Sequence, residues 1–457
     1  MVNDPIRHII VLMLENRSFD HMLGGLADEL GLEGIPSGQS RRFNKDFEGH
    51  PYDQVEGAER VLKYDPHHEY EHVFHQLANH NSGFVDDFSR SYPHSTPEDR
   101  WEIMKYHKAG DLPALHTLAR HFTVCDHWFS SVPGPTWTNR FFVHSGTSLG
   151  RVAMPNGILD ANLHWYDQPT VYDRLNERGQ AWKIYYGDIP QSLMLVDQLE
   201  PINAARYFKM RSFFEDVSGD EKSFPQYAFI EPTYYPPGAN DDHPPHDVLE
   251  GERLIADVYN SIRANEELWM SSLLVVLWDE HGGLYDHVEP PFATQPDNRQ
   301  EEFTFDRLGV RVPAVLVSPW VPKQVLGMQF DHTSLLKYVQ VKWKLQGLGD
   351  RVLKANSFQP VFLSEPRKDA PREIPGPAPS AGLAPHPDPL ILGRRQPAMS
   401  SQQSALFAMT QLLESATQIA EGALASRVKR IVTGLDGQVD VALERLEAFL
   451  HQHRTQA

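Results

Sequence analysis

Two short apolar runs, 265 positions apart between their first residues, each end in a pair of oxygen-bearing side chains. The first, His8-Ile9-Ile10-Val11-Leu12-Met13-Leu14, is followed by Glu15-Asn16. The second, Leu273-Leu274-Val275-Val276-Leu277-Trp278, is followed by Asp279-Glu280 and then by Gly282-Gly283. Both runs have the length and composition of buried strands. In open α/β sheets, ligands gather outside the carboxyl ends of the strands. Two strands that deliver carboxylates to that edge describe a cation site, and a cation site points to phosphoryl or hydrolytic chemistry.

The rest of the N-terminal 365 residues supports such a sheet. Apolar runs at 122–125, 181–186, 226–230 and 313–317 alternate with helical patterns at 98–108, 112–120, 170–178, 249–264 and 333–345. This alternation predicts an α/β sandwich, a central sheet flanked by helices. The stretches 25–65 and 187–245, rich in Pro, Gly, Asp and Asn, are expected to form lids or the mouth of a site. From 366 to 400 prolines crowd the chain and periodicity is lost, which reads as an extended linker. Apolar residues at helical spacing then return across 401–451, for example Leu406, Met409 and Leu413. The expected domains are a catalytic unit at 1–365, a linker at 366–400 and a helical segment at 401–457. The helical segment is expected to pack on the main domain or to mediate oligomerisation.

Charge narrows the function. With 42 Lys and Arg against 61 Asp and Glu, the net charge is −19, the wrong sign for a nucleic-acid binder. Adhesion to anionic lipid is disfavoured for the same reason, whereas transient contact with zwitterionic lipid is compatible. The single cysteine, Cys125, allows no intramolecular disulfide and fits a reducing compartment. No apolar run approaches the roughly 18–20 residues of a membrane span. The first residues lack the basic, apolar and small-residue succession of a signal peptide, so the expectation is a cytoplasmic protein or one exported without an N-terminal signal.

Four segments carry chemistry. Glu15-Asn16 offers a carboxylate and an amide oxygen, suited to a hard or borderline divalent ion. Thr136, after Val132-Pro133-Gly134-Pro135, falls at a loop-to-helix junction where free N–H groups favour a phosphate; a threonine there also commonly serves only as an N-cap. His243, among acids in Asn240-Asp241-Asp242-His243, is a general-acid candidate or part of a polar loop. Asp279-Glu280 can ligate one ion together only where the strand has ended, and Gly282-Gly283 supplies that break. Phe88, Trp128, Trp137, Tyr234, Tyr235 and Trp320 lie in or near these segments, as lining for an apolar mouth or as core.

Taken together, six segments resemble the phosphoesterase family that holds non-specific phospholipases C and a group of bacterial acid phosphatases. They are ENRSFDH at 15–21, DPHH at 65–68, GPTWTNR at 134–140, NDDHPPHD at 240–247, WDEHGGLYDHVEPP at 278–291 and DHTSLLKY at 331–338, in family order. The resemblance implies an alkaline-phosphatase-like sandwich and a divalent metal ion of unspecified identity. It casts Glu15, Asn16, Asp279, Glu280 and Thr136 as metal ligands, Thr136 also as nucleophile, His243 as leaving-group acid and His68 as a further acid/base or supporting residue. His127, Asn139, Arg140 and His332 fall inside the motifs without an assigned role. Relatives usually have Gly at His67 and Pro at Thr138. Threonine as nucleophile is the phospholipase pattern and serine the phosphatase pattern, so the implied activity is phospholipase C on phospholipid. The rivals are a phosphomonoesterase of small esters and an inactive lipid- or partner-binding protein.

Overall fold

A computed structural model describes residues 4–38, 42–154, 166–236, 238–377, 450–451 and 454. Its core is an eight-stranded sheet of β1 (His8–Leu14), β2 (Thr123–Val124), β3 (Trp182–Tyr186), β4 (Tyr207–Lys209), β5 (Tyr227–Glu231), β6 (Ser272–Trp278), β7 (Ala314–Val317) and β8 (Gln324–Val325), in the order β8-β2-β7-β6-β1-β5-β3-β4. β1 pairs in parallel with β6 on one side and β5 on the other, while β7 runs antiparallel to both its neighbours. Every residue of β1 and β6 is buried, as expected of central strands covered on both faces.

The helices that position the site are α1 (Phe19–Leu23), α2 (Pro113–His121), α3 (Thr136–Ser145), α4 (Val171–Glu177), α5 (Val248–Ala264) and α6 (His332–Trp343). Their starts are written locally: Ser18 caps α1, Pro113 opens α2, Thr170 and Asp173 close a capping box on α4, and Asp247 caps α5. All six expected strands are present, with no end shifted by more than one residue. β4 and β8, of three and two residues, were too short to show a period.

One expected helix is cut short. The pattern at 98–108 becomes a helix only at Pro97–Trp101, followed by a 3-10 turn at Glu102–Met104. Lys105–Tyr106 is then drawn into a parallel pairing with Val55–Glu56, so a tertiary contact overrides local helical preference. Helices at Tyr70–Gln76, Phe84–Ser91 and Met210–Val217 escaped the sequence reading. The first two build a separate apolar cluster with Val73, Leu77, Phe84, Val85, Phe88, Ile103 and Leu284.

The described part of the proline-rich segment, up to residue 377, lies along α5. Tyr259 Oη donates to the Pro371 carbonyl at 2.6 Å, and Asn260 exchanges hydrogen bonds with Ile374. The expected C-terminal helices fall outside the described residues except at Leu450, His451 and Arg454; Leu450 is buried within the main core. Among the described residues no helix is long and apolar enough to cross a membrane.

Candidate active site

The β1–β6 register sets Leu14 opposite Trp278, so Glu15 and Asp279 leave the sheet side by side. Asn16 then takes a left-handed backbone conformation, φ 59°, and its N–H donates to Asp279 Oδ1 at 3.2 Å. Gly282, φ 64°, passes so close that a Cβ there would stand 2.3 Å from the Asn16 carbonyl oxygen. Only glycine tolerates both constraints. The two strand ends are thereby locked into one cage, and Glu15, Asn16, Asp279 and Glu280 are all fully buried.

Thr136 is the first residue of α3, with Pro135 in the cap position. It is therefore not the N-cap. Its Oγ1 lies 3.5 Å from Asn16 Oδ1, at the end of a ten-residue helix where N–H groups lack intrahelical partners. Asn139 builds the turn that delivers it: its Oδ1 accepts from Val132 N at 3.1 Å, and its Nδ2 donates to the Gly134 carbonyl at 2.8 Å.

One turn further along α3, Arg140 enters the cage. Its guanidinium lies 3.0 Å from Glu15 Oε1 and 3.0 Å from Asp279 Oδ2. Gln191, from the loop after β3, donates to Glu15 Oε1 at 2.5 Å. His332, at the start of α6, donates Nε2–H to the Asp279 carbonyl at 2.7 Å and accepts from Trp128 Nε1 at 3.3 Å, which fixes its tautomer. Asn139, Arg140 and His332 thus support the cage, whereas His127 sits apart with Asp126 and Glu33. Nothing in the sequence around Gln191 marked it.

The cage is short of positive charge. Three carboxylates face one guanidinium, and Glu15 Oε2 and Glu280 Oε1 are buried without a hydrogen-bond partner. Burial raises the Glu15 carboxyl well above its usual range, against the pull of Arg140. Burial likewise lifts Asp279 to about 7; Arg140 opposes this and Glu280 adds to it. Orphaned carboxylate oxygens beside an amide and a hydroxyl are the donor set of an oxygen-preferring divalent ion. The residues present therefore fit the metal that the motifs implied.

His68 and His243 reach the same place from different loops. His68 Nε2 lies 3.1 Å from Asn16 Nδ2 and 3.9 Å from Glu280 Oε1. The two imidazoles meet edge to face at 5.7 Å. Burial opposes a charge on His68, but Glu280 and Asp65 outweigh it and raise its pKa to about 9. Burial and the neighbouring His68 charge push His243 well below its ordinary value. The surroundings thus favour the charged form at His68 and the neutral form at His243.

Of the aromatic residues considered for a mouth, Trp128 and Phe88 are core and Trp320 bonds to the Met270 carbonyl just before β6, at the far edge of the sheet. Tyr234 does border the site, its ring 5.7 Å from the Arg140 guanidinium, whereas Trp137 packs in the core against Phe141.

The profile of the phosphoesterase family matches residues 6–346. Among similar proteins, non-specific phospholipase C6 of Arabidopsis thaliana is 33% identical over 426 residues, covering 84% of this chain and 78% of that protein. Non-specific phospholipase C1 of the same plant is 32% identical, covering 82% and 74%. The non-hemolytic phospholipase C of Burkholderia pseudomallei is 27% identical, covering 74% and 55%. Similar solved structures include a phosphonate monoester hydrolase of Agrobacterium radiobacter, with a TM-score of 0.34 and 10% identity over 78% of this chain and 77% of that one. From the motifs, the site built on them and these relatives, the chain belongs to the phosphoesterase family and is a phosphoric ester hydrolase.

Proposed function

We propose that the protein is a metal-dependent phospholipase C that acts through a phospho-threonine intermediate. The observation that carries this reading is the meeting of the Thr136 hydroxyl, at the start of α3, with the orphaned oxygens of the Glu15–Asn16–Asp279–Glu280 cage. A divalent ion held by Glu15, Asn16, Asp279 and Glu280 with Thr136 would supply a lowered hydroxyl pKa and charge neutralisation at the phosphoryl oxygens.

Thr136 Oγ1, deprotonated, attacks phosphorus while the free N–H groups of the first α3 turn face the phosphate. The bond from phosphorus to the diacylglycerol oxygen breaks, and that oxygen takes the proton of charged His68. Water then attacks the phospho-threonine and gives its proton to neutral His243, which passes it back to His68 and restores the starting state. The Thr136 oxygen departs, and the phosphorylated head group is released. Arg140 and Gln191 hold Glu15 in place throughout. The named relatives support phospholipid as substrate.

The test is product analysis on phosphatidylcholine, with p-nitrophenyl phosphate run beside it. Diacylglycerol and phosphocholine are expected. In Thr136→Ala protein, turnover should fall about a thousandfold or more while thermal unfolding stays close to that of the parent. Near-normal turnover in pure Thr136→Ala protein would overturn the intermediate, and free phosphate from the small ester with intact lipid would make the enzyme a phosphomonoesterase.

A further inference from the structure

Two histidines that the catalytic site does not use, His127 and His287, are held in the same way. His127 follows β2, and β7 stands between β2 and β6 in the sheet. His287 comes from the chain beyond the glycine turn that follows β6. His127 Nδ1–H donates to Asp126 Oδ1 at 3.1 Å, and His287 Nδ1–H donates to Asp20 Oδ2 at 2.8 Å. A carboxylate on one ring nitrogen is the arrangement that orients a ligating histidine and leaves its other nitrogen for an ion. Here both other nitrogens turn to one carboxylate. His127 Nε2 lies 3.1 Å from Glu33 Oε2, and His287 Nε2 lies 3.9 Å from Glu33 Oε1.

The supporting groups are themselves fixed. Buried Arg311 donates from Nη1 to the Glu33 and Asp126 carbonyls, both at 2.9 Å, and from Nη2 to Asp20 Oδ1 at 3.0 Å. Its Nε–H donates to Asp286 Oδ1 at 2.9 Å. The Glu33 N–H donates to Asp126 Oδ2 at 2.9 Å. One guanidinium thus ties together the segments that carry Glu33, His127 and His287. Four carboxylates, from Asp20, Glu33, Asp126 and Asp286, gather around that single cation. Arg311 is spent on the inner pair, Asp20 and Asp286, so with neutral imidazoles the outer position lacks a counter-charge.

We infer that Glu33, His127 and His287 form a site for a borderline divalent ion of the zinc type, apart from the oxygen cage at Thr136. Two imidazole nitrogens and a carboxylate suit such an ion. Ligands around a tetrahedral zinc stand about 3.3 Å apart, given bonds of about 2.0 Å. The His127 edge is already at that spacing, and the His287 edge closes by about 0.6 Å. Glu33, half exposed, has the freedom to make that movement, while His287 is 9% exposed and provides the fixed wall. The ion would join three stretches of chain distant in sequence, so its effect falls on stability and not on the chemistry at Thr136.

The experiment is a calorimetric titration of the chelator-stripped full chain with Zn²⁺. A zinc equivalent is expected in the parent and in Asp279→Ala, whose oxygen cage lacks a ligand. His127→Gln and Glu33→Gln should each weaken that binding tenfold or more, and Asp126→Asn, which changes only the group that orients His127, by about 10–100-fold. Zinc should raise the melting temperature of the parent more than that of Glu33→Gln. Metal-free Glu33→Gln should melt close to the metal-free parent, which separates a lost ligand from a lost fold. Equal zinc affinity in the parent, His127→Gln and Glu33→Gln would overturn the site. So would zinc that disappears in Asp279→Ala and persists in both of those variants.

Discussion

Arg140 shows how much of this site depends on one side chain. It is buried between Glu15 and Asp279 and contacts both at 3.0 Å. Removing one partner from a buried ion pair costs about 3–5 kcal/mol, because the remaining charges stay desolvated. Arg140→Met should therefore destabilise the chelator-treated protein by about 3 kcal/mol. A divalent ion should recover more of that loss than it adds to the parent, since it becomes the main counter-charge for the cage. Urea denaturation with and without chelator measures both quantities; equal stabilisation by the ion in the two proteins would remove Arg140 from the cage's charge balance. The motif GPTWTNR drew attention to this arginine, but its partners lie 125 and 139 positions away in the chain.

At the scale of elements, the junction of β1 and β6 is the decisive piece. Parallel pairing places the two strand ends level, and the glycine turn after Glu280 folds back over Asn16. Gly282→Ala would place a methyl 2.3 Å from the Asn16 carbonyl oxygen at a residue with φ 64°. Left-handed strain alone costs about 1–3 kcal/mol, and relieving the clash must move Asn16 or the turn. The expected outcome is a large loss of turnover together with a fall in melting temperature. Turnover equal to the parent would show that the cage tolerates displacement of Asn16. The loop carrying Gln191 makes the opposite point. It lies in a stretch expected to be a lid or mouth, yet it inserts a glutamine into the interior of the cage and rests on buried Glu231.

Across the whole molecule, buried titratable groups set the pH range of stability. Burial raises Asp242 to about 8 and Glu252 to about 8, even though Glu252 accepts N–H bonds at the start of α2. Carboxyls raised on folding contribute stability that is full below their unfolded pKa and lost as pH rises through the folded value. Burial lowers His116 to about 4 and His144 to about 3. Those histidines contribute stability that is full above their unfolded pKa and lost as pH falls through the folded value. The two sets cross in the mildly acidic to neutral range, where maximal stability commonly lies, between about pH 5 and 8. The metal-free protein should therefore show a lower urea midpoint at pH 9 than at pH 6.5, with the net charge of −19 acting in the same direction. A midpoint that rises steadily to pH 9 would contradict the burial-driven shifts of Asp242 and Glu252.

Thr136, Asp279 and the two histidines were named through the family motifs that hold them, whereas the sequence by itself determined the alternation that makes an α/β sandwich and the two strands that end in oxygen-bearing side chains. These were legible because they depend on local order: apolar runs, caps, and a glycine break after a strand. Tertiary structure alone decided the opposite surroundings of the two imidazoles, because His68 lies beside Glu280 and Asp65 while His243 lies beside His68. It also decided the roles of Arg140, Gln191, Asn139 and His332, whose partners come from other elements. Burial and opposing charge act through space, and no spacing along the chain encodes a 3 Å approach between residues a hundred or more positions apart.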